Sequence, residues 1–467
     1  MDLHDRPTRY RPSAQAGVGR DFGVSRWPNT VILSIILPRN GIAAIGTEGA
    51  VPGEEISTLN KGLGSFAQPL ESGDVRRLGW NLLREDVSLP AAVLYEDKLK
   101  NNLDWMSRFI GAYQLKLAPH GKTTMAPALF ARQLQAGAWG ITLATAHQTR
   151  VAYEHGVRRV LMANQLVGKQ NMAAIAALLR DKTFEYFCLV DSAEQVDQLG
   201  QFCESAGCAL NVLLEVGVEG GRTGIRNREQ LQSVAESLSR QREQIRLCGV
   251  ELYEGVLDDE SAIREFLGKT IAFAKELLSA GRFDRTPFVL SGAGSAWYDV
   301  VAEEFSKSGL SQAAEIVLRP GCYLTHDVGV YRTAQARILQ RNKIAAEMRS
   351  GLRPALHLWA YVQSIPEKQK AIVALGKRDA AFDAGLPAPA LHYRPGRGAP
   401  GAAPSSWEVT KLMDQHAYLR IGEEDDIRVG DMIGFDISHP CLTFDKWRYL
   451  CVVNAGYDVI EVIPTFF

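Results

Sequence analysis

The sequence predicts an α/β fold in which a (β/α)8 barrel is followed by a C-terminal β-rich domain. Three observations carry that expectation. From residue 89 onward, short apolar runs alternate with longer helical patterns, and eight such runs fit within roughly 230 residues, near the ~250 typical of such a barrel. Most of the runs are continuously apolar, as strands of a parallel sheet covered by helices are. After Gly321 the texture changes to short strands with few long helices between them.

The chain has 467 residues, too many for one ordinary core. Residues 1–55 are expected to form an N-terminal extension of uncertain order. Their apolar run, 31–37, is stopped by Pro38 and is far shorter than the ~20 apolar residues a membrane span needs. It also lacks the arrangement of a secretory signal. Residues 56–88 form a lead-in expected to pack on the C-terminal domain.

Residues 89–328 are assigned to the barrel. Pro90–Tyr95 precedes a helix with Leu99, Leu103, Met106 and Ile110 on one face. Eight strand candidates follow: Tyr113–Leu117, Gly140–Leu143, Arg159–Met162, Tyr186–Val190, Ala209–Val216, Arg246–Tyr253, Phe288–Ser291 and Glu315–Leu318. Residues 329–467 form the β-rich domain, with strands expected at Tyr331–Leu339, His357–Ile365, Lys370–Ala374, Met432–Asp436 and Tyr449–Val453. A Pro/Gly/Ala-rich loop fills Asp383–Ser406.

Composition narrows the class. Hydrophobic residues make up 46%, charged residues 22%, and the formal net charge is -1, so nothing points to a nucleic-acid or membrane partner. Seven irregularly spaced cysteines do not form a disulfide framework and suit a reducing cytoplasm.

In such barrels chemistry sits at the C-terminal ends of the strands. The first strand ends at His120 and Lys122, a position suited to a reactive amine. The fifth ends in Glu215–Gly224, a glycine-rich loop carrying Arg222, and the sixth at Tyr253. The seventh ends in Ser291-Gly292-Ala293-Gly294-Ser295, where glycines let backbone N–H groups approach an anion. A phosphate cradle there, together with an amine at the first strand, points to pyridoxal phosphate, whose aldehyde needs a lysine and whose phosphate needs an anchor. Tyr323 is a further candidate donor to that phosphate. Arg222 is expected to face the pyridine nitrogen; a guanidinium only donates and cannot accept a ring proton, so the ring would stay neutral and be a weaker electron sink. A second electrophile is then useful. His439 and Cys441, two residues apart in a segment expected to be extended, can face the same way and grip one metal. Imidazole plus thiolate suits Zn²⁺, or another divalent metal, with positions left open. His416 is a candidate active-site imidazole.

The segments PHGKT (119–123), EVGVEGGRTG (215–224), SGAGS (291–295), RPGCY (319–323), DQHAYL (414–419) and HPC (439–441) together resemble the D-serine dehydratase/D-threonine aldolase family. These are alanine-racemase-like pyridoxal phosphate enzymes of fold type III. The resemblance runs from about Lys61 to the end. It implies that Lys122 is the Schiff-base lysine, with His120, Arg222, Tyr253, Ser291, Gly292, Gly294, Ser295 and Tyr323 around the cofactor. It also implies His439 and Cys441 as zinc ligands, and a thiol at the second ligand position favours the dehydratases. The expected reaction is dehydration and deamination of a β-hydroxy-D-amino acid such as D-serine or D-threonine, with Lys122 taking the Cα proton. Alternatives are a metal-dependent aldolase giving glycine and an aldehyde, a racemase, and a pyridoxal phosphate carrier. A cytoplasmic homodimer is implied by the same resemblance.

Overall fold

The computed structural model describes residues 55–66 and 70–467. The predicted N-terminal extension, with its apolar run 31–37, lies outside the described residues except for Glu55. The barrel strands are β1 (Lys116–Leu117), β2 (Ile141–Leu143), β3 (Arg159–Gln165), β4 (Glu185–Val190), β5 (Leu210–Val216), β6 (Ile245–Leu252), β7 (Phe288–Gly292) and β8 (Ala314–Leu318). Each pairs in parallel with the next from β2 to β8, and β8 pairs with β1.

The seam between β1 and β2 closes the ring in an interrupted way. Pro119 has no N–H to give the ladder, so the pairing is carried by Trp139 N to Leu117 O (2.7 Å), Thr142 N to Pro119 O (2.9 Å) and a parallel bridge between His120 and Thr142. Phe187, Leu189, Leu213, Val289 and Val317 fill the interior, all at most 1% exposed. Outside, the helix Glu260–Ser279 buries Ile263, Phe266, Leu267, Ile271 and Ala274 at three- and four-residue spacings. Asp259 caps it by accepting from Ala262 N at 2.8 Å.

The second domain is built on an antiparallel sheet centred on Leu356–Glu367, which pairs with Met432–Asp436 on one side. On its other side lies Ala91–Tyr95, a strand that the sequence reading grouped with the barrel. It also pairs in parallel with Tyr449–Val453. All five of its residues are buried. An apolar run reports burial but not which sheet receives it, hence the misplacement. The lead-in supplies Ile56, Leu63, Val75, Trp80 and Leu82 to a core shared with Val93, Trp359 and Tyr449.

Two further segments differ from expectation. Tyr331–Leu339 lies within a helix, Val330–Arg341, that buries Ala334, Gln335 and Ile338. Asp327 Oδ1 starts it by accepting from Gly329 N (2.8 Å) and Tyr331 N (3.1 Å). The expected loop Asp383–Ser406 contains the strand Ala388–Tyr393, paired with Met432–Asp436.

Candidate active site

Side chains alternate along a strand, so the residues one layer above the apolar plug also face inward, and here they are polar. Above Leu213 comes Glu215, above Val289 comes Ser291, and above Val317 comes Arg319. Glu251 stands beside Glu215 and Ser291 in register. Arg319 is 4% and Glu251 1% exposed, and Arg319 Nη2 donates to Glu251 Oε1 and, at 2.9 Å, to Leu252 O. Arg319 Nε and Glu251 Oε2 have no partner among the described residues. Burial pulls the guanidinium down to about 10, with Arg222 adding to the shift and Glu215 opposing it. Glu215 is held by Gln165 Nε2 (2.6 Å) and Thr223 Oγ1 (2.8 Å).

Lys122 rises from a single 3-10 turn, Gly121–Thr123, entered from His120. The loop after β8 crosses it closely: a Cβ on Gly321 would lie 2.7 Å from His120 O and 2.8 Å from Thr123 Oγ1, so only glycine fits. The Lys122 ammonium is lowered, first by desolvation from the surrounding walls and then by Arg222 and Arg319, against the opposing pull of Cys441. His120 is pushed well below the usual imidazole value by burial and by the Lys122 charge, and its Nδ1 has no partner among the described residues.

Cys441 sits beside this lysine, with His439 next to the thiol. The sequence reading expected this segment to be extended, and it is not. Pro440 has helical angles (φ -60, ψ -46) and caps a four-residue helix, Cys441–Phe444, that turns the thiol inward. Cys441 Sγ lies 3.5 Å from Thr123 Oγ1, one residue from the lysine. Asp383, which sequence reading missed, holds His439 Nδ1 at 2.7 Å. Hydrogen bonding to Cys441 and then to Asp383 raises His439 to about 9, against desolvation. Contacts with Cys322, His439 and Thr123 hold the Cys441 thiol low, against burial. Among the described residues no third His, Cys, Asp or Glu completes a metal-holding group with this pair.

The anion cradle is placed differently from the sequence reading. Ala293 N and Gly294 N, the amides of the Ser291–Ser295 loop, donate to Glu254 at 3.1 and 2.6 Å. Ala293 holds φ 79 to present its amide. Glu254 is fully buried and raised to about 6 by that burial. Gly292 is buried at the end of β7, where a Cβ would come 3.4 Å from Phe305 and Val301. Ser291 Oγ is committed to Val317 O at 3.0 Å. A second convergent pair of amides, Gly321 N and Cys322 N, donates to the Ser295 hydroxyl, each at 3.1 Å.

Two expected residues, Tyr323 and His416, stand apart from this cluster, and a third, Arg222, lies at its rim. Tyr323 is 2% exposed and accepts from Gln133 Nε2 at 3.2 Å in the core. His416 is exposed at the hairpin turn between Glu408–Leu412 and Ala417–Arg420, with no contact to Lys122, His439 or Cys441 among the described residues. Arg222 is exposed and lies 4.3 Å over the Tyr253 ring. The buried guanidinium is Arg319, which the sequence reading noted only as a strand end because burial is not visible in a motif.

The comparisons with known proteins cover both domains. Residues 95–324 match the family "Alanine racemase, N-terminal domain", and residues 355–453 match "Putative serine dehydratase domain". A D-threonine aldolase from Arthrobacter sp. is 24% identical over 80% of this chain and 92% of its own length. A D-threo-3-hydroxyaspartate dehydratase from Delftia sp. (strain HT23) is 29% identical over 29% of this chain and 35% of its own length. The crystal structure of D-threonine aldolase from Filomicrobium marinum superposes with a TM-score of 0.68 at 24% identity, covering 83% of this chain and 97% of that one. With both domains matched and the strand-end residues assembled around one mouth, the chain belongs to the D-serine dehydratase/D-threonine aldolase family of alanine-racemase-like, pyridoxal phosphate-dependent lyases.

Proposed function

We propose that this protein is a pyridoxal phosphate- and zinc-dependent dehydratase that converts a β-hydroxy-D-amino acid to a 2-oxo acid and ammonia. The observation that carries the reading is the placement of Cys441 Sγ 3.5 Å from Thr123 Oγ1, directly beside Lys122, with His439 next to it. A lyase that breaks Cα–H and Cβ–O needs a base and a Lewis acid around one substrate, and these residues provide both within one mouth.

The residues fit the cofactor. Lys122 would attach it. Gly321 N and Cys322 N, which converge on the Ser295 hydroxyl, would turn with it to the phosphate. Arg319, buried with an unpartnered Nε, suits the ring nitrogen better than exposed Arg222, and it too can only donate. Arg222 on Tyr253 remains at the rim. His439 and Cys441 would hold the metal. Asp383 fixes the Nδ1–H tautomer, leaving Nε2 as the ligating nitrogen.

When bound, pyridoxal phosphate draws electron density from Cα and the divalent cation polarises the β-oxygen. Lys122, its ammonium destabilised by desolvation and by two guanidinium groups, is suited to take the Cα proton as an amine. Arg319, held by Glu251, would offer the cofactor ring a donor that cannot accept a proton, which would favour a neutral ring and a need for the metal's Lewis acidity. Retro-aldol cleavage is the competing outcome of the same base and metal. The thiol at position 441 favours dehydration over it.

A panel of D-serine, D-threonine and 3-hydroxy-D-aspartate, with and without added zinc, decides between the two. Formation of 2-oxo acid with ammonia supports the reading. Glycine with an aldehyde as the main products contradicts it.

A further inference from the structure

One buried thiol at the mouth has no part in the chemistry above. Cys322 is 3% exposed and its Sγ lies 3.8 Å from Cys441 Sγ and 3.9 Å from Thr123 Oγ1. The two cysteines come from different domains, 119 positions apart. Cys322 follows β8, and Cys441 opens a four-residue helix. We propose that Cys322 and Cys441 are an oxidative modification site: in the metal-free protein a peroxide joins them in a disulfide, which removes Cys441 as a metal ligand.

The geometry is close to what the bond requires. A disulfide needs its sulfurs about 2.05 Å apart, so the thiols must approach by less than 2 Å, within reach of one side-chain rotation or a small loop shift. Both sit on short elements that end at the mouth. The remaining thiols are less suited. Cys188, Cys248 and Cys451 are buried, as Cys322 is, but no second thiol acts on any of them. Cys203 and Cys208 are the other neighbouring pair, at the end of a barrel helix away from the site, and they serve as an internal comparison.

The chemistry balances with peroxide as the oxidant. The Cys441 sulfur attacks one peroxide oxygen, the O–O bond breaks, and the leaving hydroxide takes a proton to become water. The resulting S–OH is attacked by the Cys322 sulfur, the S–O bond breaks, and a second water leaves with the Cys322 proton. Two thiols lose two electrons and two protons, and the peroxide is reduced to two waters. A dithiol reverses the bond by exchange. A metal on Cys441 would engage the sulfur lone pair needed for attack; this protective effect rests on the proposed metal site, whereas the cross-link does not.

The test uses the wild-type chain with its cofactor. One sample is freed of metal with a chelator and another is loaded with zinc; both receive hydrogen peroxide, are digested without reductant and are mapped by mass spectrometry. The expected result is a linked peptide containing Cys322 and Cys441 in the metal-free sample, loss of two titratable thiols, and recovery of both with dithiothreitol. Oxidation of Cys441 past the sulfenic stage with Cys322 still free overturns the proposal, and so does a Cys203–Cys208 link as the only product. Zinc should slow the cross-link by about tenfold or more. Equal rates in the two samples would support the cross-link while overturning the metal assignment to Cys441.

Discussion

Glu251→Gln isolates the buried ion pair under the mouth. The substitution keeps the volume and one carbonyl acceptor but removes the charge facing a guanidinium that is only 4% exposed. Removing one partner of a buried pair costs about 3–5 kcal/mol, because the other charge is left uncompensated. Leu252 O still accepts from Arg319 at 2.9 Å, which places the expected loss at the low end, about 3 kcal/mol. With a urea dependence of ~3 kcal/mol/M the midpoint falls by about 1 M, read by circular dichroism at neutral pH. A double variant, Glu251→Leu with Arg319→Met, removes both charges and should be less destabilised than Glu251→Gln, although it loses cofactor affinity. A single-variant loss below about 1 kcal/mol, or a double variant weaker than the single, refutes the assignment of an obligate buried pair.

Three other outcomes follow from the same geometry. Lys122→Ala should leave no cofactor fixed by borohydride and lower turnover roughly 10³-fold or more; covalently fixed cofactor in that variant contradicts the assignment. Asp383→Asn frees the His439 ring and should weaken metal affinity about 10–100-fold in chelator competition, with unchanged affinity as the contrary result. Glu254 is raised from 4.5 to about 6, so its contribution to stability is full below pH 4.5 and is lost as pH rises through 6, a change of about 2 kcal/mol. Denaturation midpoints of the wild type and Glu254→Gln across pH 4–7 should diverge by that amount, and parallel curves contradict it.

The barrel was legible because its strands are buried on both faces and read as apolar runs, and the order of strand ends then put Lys122, Arg222 and Ser295 around one mouth. What burial does to a polar residue was not legible. Glu215, Glu251 and Arg319 occupy inward positions whose importance depends on alternation with Leu213 and Val317 and on packing from neighbouring strands. Glu254 sits one loop away from Ala293 and Gly294, whose amides donate to it, and no spacing rule links them. Asp383 lies in the segment between Val373 and Ala388, far in sequence from His439. The His439–Cys441 pairing was found by a spacing that assumed a strand; Pro440 starts a helix instead, and the residues meet by a different path. Tyr323 and His416 carried family motifs, yet one points into the core and the other to solvent within this chain.

The central claim is that cofactor attachment and elimination are separable, the first belonging to Lys122 and the second to the metal at His439 and Cys441. Cys441→Ala, assayed together for bound metal, visible absorbance of the lysine-bound cofactor and 2-oxo acid formation, tests it most directly. The account predicts retained absorbance, lost metal and abolished elimination that added zinc does not restore. Full 2-oxo acid formation by that variant after chelation would contradict it.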